Sequence, residues 1–204
     1  AYTFEGATYH LDVNETARGN HIHGLVNRRP WVTEAVGADD VRGAWHRASV
    51  DLASDPEIQR QYPFGAKISV TTSLHGGVLV QVTVVENHGT GRLPMGYGIH
   101  PWFPVTLGGA PREASRVRVP GAAIWELDNL VPTGHLKRVD GTELDLREWP
   151  VIFAPPFRPV VCLEPYTGTT NAINLQNEGV DAGLVVLEPG ASWTGEVRFS
   201  LRPV

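Results

Sequence analysis

With 204 residues, 42% of them hydrophobic, the chain can bury a real core, and all-β sandwiches of about this length form one domain. The net charge of −5 is spread over both signs without a basic stripe, which argues against nucleic acid as the main partner. No apolar run reaches the roughly 18–20 residues of a membrane-spanning helix, and the lone cysteine, Cys162, excludes an internal disulfide framework and fits a reducing cytoplasm.

Ala1 to Val13 has neither the basic start nor the apolar stretch of a signal peptide, and it opens inside strand-like residues, so an upstream segment is expected. Period-2 alternation then recurs along the chain. Ala7, Tyr9, Leu11 and Val13 form one set, and Ala44, Ala48, Val50 and Leu52 form a second, with His46 on the same face. Ser54 to Gln61 reads as one helical turn, capped by Ser54 and carrying Pro56 early. Ala66, Ile68, Val70, Thr72 and Leu74 lead through a His75-Gly76-Gly77 turn to Val78, Val80, Val82 and Val84, a hairpin. Val117 and Val119 suggest another strand, and Asp128 to Gly134 reads as a turn. Val160 to Leu163 is a short apolar run, as in a strand buried on both faces. Val185 to Leu187 and Val197, Phe199 and Leu201 close the chain around the turn Glu188-Pro189-Gly190-Ala191-Ser192. With 22 Gly and 16 Pro between such runs, the fold class expected is all-β, an antiparallel β-sandwich formed by residues 1–204 as one domain.

Three segments crowd polar residues among glycine, proline and aromatics. They are Gly19-Asn20-His21-Ile22-His23-Gly24-Leu25, Pro94-Met95-Gly96-Tyr97-Gly98-Ile99-His100-Pro101-Trp102-Phe103, and Cys162-Leu163-Glu164-Pro165-Tyr166-Thr167-Gly168 continuing through Asn171-Ala172-Ile173-Asn174. Histidine exchanges protons near neutral pH. A carboxylate at the end of an apolar strand is partly desolvated, which moves its pKa up toward the working range. His100 and Glu164 could therefore serve as acid and base, although on chemistry alone a His or Glu before proline is more often structural. Tyr97, Trp102 and Tyr166 offer flat apolar faces beside polar groups, matching the mixed C–H and hydroxyl surface of a sugar, or else belong to the core. Gly96-x-Gly98 precedes no helix start and is no phosphate loop.

Taken in order, these segments resemble the aldose 1-epimerase (galactose mutarotase-like) family. Asn20 to Gly24 is similar to its Asn-x-x-His-Gly element, and His100-Pro101-Trp102-Phe103 to its His-Pro-Tyr-Phe element with Trp102 in place of Tyr. Leu163-Glu164-Pro165 with Asn171 to Asn174 is similar to its Leu-Glu-Pro segment, and Leu187 to Gly190 to its Leu-x-Pro-Gly turn. The resemblance implies the family's supersandwich and interconversion of α and β anomers of a free aldohexose. In it Glu164 would take the proton of the anomeric hydroxyl and His100 would protonate the ring oxygen. The two would face each other across a hexose-sized gap. Asn20, His23, Tyr97, Trp102 and Tyr166 would bind the sugar. It implies no metal and no organic cofactor, with a small-molecule sugar as the partner and neither nucleic acid nor membrane; it is silent on oligomeric state. The family carries further N-terminal strands with a Pro-x-Asn-Arg element, and a longer interval between the residues matching His100 and Glu164. The expectation is therefore a sandwich from which N-terminal strands and an internal segment are missing.

Alternatives stand beside this reading. A hexose-6-phosphate 1-epimerase would use the same fold, with Arg28 and Arg29 the basic pair nearest a motif. A non-catalytic carbohydrate-binding module would keep the pocket without the chemistry. His21 and His23, if on a strand, would share a face and could hold a metal as in cupins. His46, His75, His88 and His135 read as surface or packing residues, and Cys162 as a buried small hydrophobe.

Overall fold

A computed structural model describes residues 1–106, 109, 111–112, 123–139, 152–153 and 158–201. Contacts gather into two compact units, Ala1–Pro94 with Val186–Val204, and Met95–Val185.

The first unit opens with β1 (Tyr2–Phe4) and β2 (Ala7–Tyr9), joined by Glu5 and Gly6 at φ 49° and 78°. Positive φ at both central residues is the turn whose twist matches a tight hairpin. Tyr2 stacks on Tyr9 at 5.1 Å, and its hydroxyl donates to the Gln61 carbonyl at 3.1 Å. The alternation expected to run on through Leu11 and Val13 stops at Tyr9. From there side chains hold the backbone on either side of an isolated Glu15–Asn20 bridge. Asp12 N–H donates to Gln61 Oε1, and the Asn14 amide accepts from Ile22 N–H and donates to its carbonyl.

Next come β3 (Val32–Asp39), β4 (Gly43–Asp51), a single 3-10 turn (Leu52–Ser54), α1 (Pro56–Gln61), β5 (Ala66–His75) and β6 (Val78–Asn87). The cap of α1 is Asp55 rather than Ser54. Asp55 Oδ1 accepts from the N–H groups of Glu57 and Ile58, whereas the Ser54 hydroxyl donates back to the Asp51 carbonyl. Pro56 occupies the first helical turn, where its missing N–H costs nothing, and Ile58 is fully buried. Gly76 and Gly77 make the turn at φ 55° and 75°, with His75, expected in the turn, still in β5. Asn87 is buried with its amide satisfied: Nδ2 donates to the carbonyls of Gly91 and Leu187, and Oδ1 accepts from Gly89 N–H.

Short β7 (Leu93–Met95) leads to β8 (Trp102–Pro104), β9 (Ala123–Asp128), β10 (Val131–Arg138), β11 (Ile152–Phe153), β12 (Val160–Leu163) and α2 (Ala172–Asn177). Then β13 (Val185–Leu187), which pairs with β7, and β14 (Ser192–Ser200) end the described chain. Every pairing with assigned register is antiparallel. The largest sheet has the order β14-β6-β5-β4-β3. Its register aligns Val50, Ile68, Val85 and Trp193 on one face. Val78, Val80, Val82 and Val84 fall on the other, while the face of β6 that carries Val85 also carries Leu79, Gln81, Thr83 and Asn87. Leu201 lies beyond β14 and is exposed.

In the second unit, Asn129 and Leu130 at φ 48° and 66° make a two-residue turn between β9 and β10. The longer turn expected through Gly134 is therefore mostly strand, with a register shift between Pro132 and Leu136. The helix α2 was not expected; its Ala172 and Leu175 bury against Ala182, Val180 and Leu184. Val117 and Val119 lie outside the described residues. Among the described residues no helix is long and apolar enough to cross a membrane, which says nothing of a β-barrel.

Candidate active site

One antiparallel ladder of the second unit positions the chemistry. Its pairs run from Tyr97 opposite Thr167, through Gly98 opposite Tyr166 and Trp102 opposite Cys162, to Val105 opposite Pro159. Counting along this register sets His100 directly opposite Glu164. Directly opposed residues point to the same side, as do residues two positions along either strand. Gly98, His100, Trp102, Cys162, Glu164 and Tyr166 therefore share one face.

The contacts follow from that register. His100 Nε2 lies 3.0 Å from Glu164 Oε1, and His100 Nδ1 lies 2.7 Å from the Cys162 sulfur on the diagonal. Trp102 stacks on the His100 ring at 5.3 Å and 27°. The Tyr166 hydroxyl donates to Glu164 Oε2. A carboxylate only accepts, so Tyr166 O–H and His100 Nε2–H supply its two oxygens. Gly98 leaves the room for this. A Cβ there would collide with the Tyr166 ring, sitting 2.5 Å from Cε1.

Burial divides the face into a floor and a rim. Glu164 and Cys162 are buried, whereas Trp102 and Tyr166 are exposed and the His100 side chain keeps 33% of its surface. Burial pushes the Cys162 thiol up to about 12, with the hydrogen bond and charge of Glu164 adding to it. The sulfur thus keeps its proton at neutral pH. A thiol donates or accepts, so Nδ1 has a partner whether the imidazole is neutral or protonated. The arrangement can hold a proton between an acid and a base beneath an aromatic shelf open to solvent.

The structure brings together four of the expected site residues, His100, Glu164, Trp102 and Tyr166. His100 and Glu164 meet directly, not across a hexose-sized gap, because opposed positions of a ladder stand side by side. Tyr97 has the opposite parity; its backbone N–H donates to Thr167 Oγ1 and its carbonyl accepts Thr167 N–H. Asn20 and His23 belong to the first unit, Asn20 bridged to Glu15 and His23 exposed at φ 66°. His21 and His23 lie in a loop rather than on a strand, and the His21 ring nitrogens face the carbonyls of Asp12 and Gly24 at 2.7 and 3.2 Å. Arg29, half of the basic pair suited to a sugar phosphate, is bridged to Asp55 at 3.1 Å. Sequence reading missed the contact of Cys162 with His100 and the Tyr166 bond to Glu164. The signal was the alternation Val160, Cys162, Glu164, Tyr166, which puts all of them on one side of an extended strand.

A family model described as aldose 1-epimerase matches residues 1–153, a span that includes His100 and ends before Glu164. The uncharacterised protein YihR of Escherichia coli K12 is 30% identical over 147 residues, 71% of this chain and 43% of that protein. The chain thus spans less than half the length of this curated relative. A galactose mutarotase-like protein from Clostridium acetobutylicum aligns with TM-score 0.81 at 18% identity, covering 98% of this chain and 75% of that one. A galactose mutarotase related enzyme from Lactobacillus acidophilus aligns with TM-score 0.62 at 17% identity, covering 97% and 76%. These two likenesses establish the fold, the galactose mutarotase-like antiparallel β architecture expected from the sequence.

Proposed function

This chain belongs to the aldose 1-epimerase family, and from that premise we propose that it interconverts the α and β anomers of a free aldohexose, with Glu164 as base and His100 as acid. What supports this is the cross-strand pair at 3.0 Å, half under cover and roofed by Trp102 and Tyr166. A pyranose laid on the shelf puts C–H faces against the two aromatic rings and its hemiacetal over the pair.

Binding of the sugar replaces the direct His100–Glu164 contact by two contacts to the hemiacetal, so each group keeps a partner. The Glu164 carboxylate takes the proton of the C1 hydroxyl while the His100 imidazolium gives its Nε2 proton to the ring oxygen. The C1–O5 bond breaks and an aldehyde forms. After rotation about C1–C2, the O5 hydroxyl adds to the other carbonyl face. Its proton returns to His100 and the Glu164 proton passes to the new C1 oxygen, so the proton count closes. Acid and base assistance each contribute roughly 10²- to 10⁴-fold. The Cys162 sulfur accepts from Nδ1–H both before and after the transfer, because the proton that leaves is the one on Nε2.

The test is polarimetry of freshly dissolved α-D-glucose and α-D-galactose. Rotation should relax faster with protein than in buffer, in proportion to protein concentration. Relaxation at the buffer rate with both sugars, by protein shown to bind them, would leave a carbohydrate-binding module.

A further inference from the structure

Three donors of different chemistry converge on the buried side of the shelf. The Cys162 sulfur, a His100 ring nitrogen and a Glu164 carboxylate oxygen all lie within 4.8 Å of one another. We propose that this trio binds a thiophilic divalent cation of the zinc class, and that the bound ion and a reacting sugar exclude each other. Cation binding stands apart from the epimerase reading; only the exclusion rests on it.

One sulfur, one imidazole nitrogen and one carboxylate oxygen form a set that zinc accepts, leaving a fourth tetrahedral position for water. Magnesium and calcium prefer all-oxygen shells, so the sulfur selects against them. Zinc sits about 2.3 Å from sulfur and about 2.0–2.1 Å from nitrogen, which in a tetrahedron holds those two atoms roughly 3.5 Å apart. The Sγ to Nδ1 separation of 2.7 Å must therefore widen by roughly 0.8 Å. His100 can supply this movement, and the turn that brings the same nitrogen toward the Glu164 carboxylate, because a third of its side chain faces solvent. The incoming cation displaces the thiol proton, and the thiolate and carboxylate together balance its charge. Tyr166 already holds the outer carboxylate oxygen, fixing the orientation of that ligand.

Cobalt(II) is the probe. Cys162 is the sole cysteine of the sequence, so a thiolate-to-cobalt charge-transfer band can come only from it. The metal-free full chain should take up one equivalent of Co²⁺ with such a band, and Zn²⁺ but not Mg²⁺ should abolish it. Cys162→Ser should lack the band and bind more than about tenfold more weakly, as loss of a ligand demands. His100→Asn, altered at a partly exposed side chain, provides a second variant and should weaken binding similarly; circular dichroism checks that each variant is folded. Uptake by the wild type without the band, or no stoichiometric uptake, would overturn the proposal. Unchanged affinity in a folded variant would remove that ligand and with it the trio. Where anomer exchange is measurable, Zn²⁺ should inhibit it with the midpoint at which it displaces Co²⁺. A band without any anomer exchange would sink the epimerase reading and leave the cation site standing.

Discussion

Replacing Gly98 by Ala tests how the ladder shapes the site. The new Cβ would collide with Tyr166, lying 2.5 Å from ring atom Cε1, whereas unstrained carbons stand about 3.5–4.0 Å apart. The ring must retreat by roughly 1 Å or more. Gly98 has no left-handed φ, so alanine meets no backbone penalty and the collision is isolated. Moving the ring pulls the Tyr166 hydroxyl off Glu164 Oε2. A hydrogen bond to a charged group contributes about 1.5–3 kcal/mol, and overpacking costs typically about 1–3 kcal/mol. With partial relaxation, Gly98→Ala should cost about 2–4 kcal/mol. Urea unfolding of Gly98→Ala, Tyr166→Ser and the double variant measures it. Once the ring is gone, the alanine should cost less than about 0.5 kcal/mol. An equal cost in both backgrounds, or none in the wild type, would refute the contact as the cause.

Other expectations concern separate parts of the molecule. Asp55→Ala should destabilise the first unit by about 1 kcal/mol through loss of the α1 cap, and Ser54→Ala by much less; thermal melts would show the opposite ranking if Ser54 were the cap. In metal-free protein, Cys162→Ala should change how stability depends on pH. The folded thiol titrates near about 12 against an ordinary 9.0, so in that window the unfolded chain holds fewer protons. Stability of the wild type relative to the variant should be level below about pH 8 and fall as pH rises through the window, by no more than about 1.4 kcal/mol per pH unit. A flat difference across it would contradict the burial argument.

How much could be read beforehand depended on whether a segment carries its own signal. β5 and β6 did, because unbroken alternation flanks Gly76-Gly77, a turn only glycine accommodates easily. β3 did not. Val32 and Val36 are exposed on an edge strand, so no buried stripe marks it, and only its pairing with β4 makes it a strand. α2 has six residues, too few to display a helical period. The chemistry of His100 and Glu164 was readable from residue type and family motif, but their contact was not. It depends on the register of two strands far apart in the chain, and a one-residue slip would send the two side chains to opposite faces. Cys162 looked purely apolar for the same reason, since its neighbours along the chain do not reveal the imidazole across the ladder.

In the proposed reaction His100 and Glu164 act on one sugar in one step. The most direct measurement is the anomer exchange rate, by magnetisation transfer between the two anomeric protons, for wild type, His100→Asn, Glu164→Gln and the double variant. Each single change should lower kcat/KM by roughly 10²- to 10⁴-fold, and the double variant should fall less than about tenfold below the worse single, because either loss already disables the step. Losses that multiply as independent effects, or a single variant exchanging anomers at the wild-type rate, would contradict it.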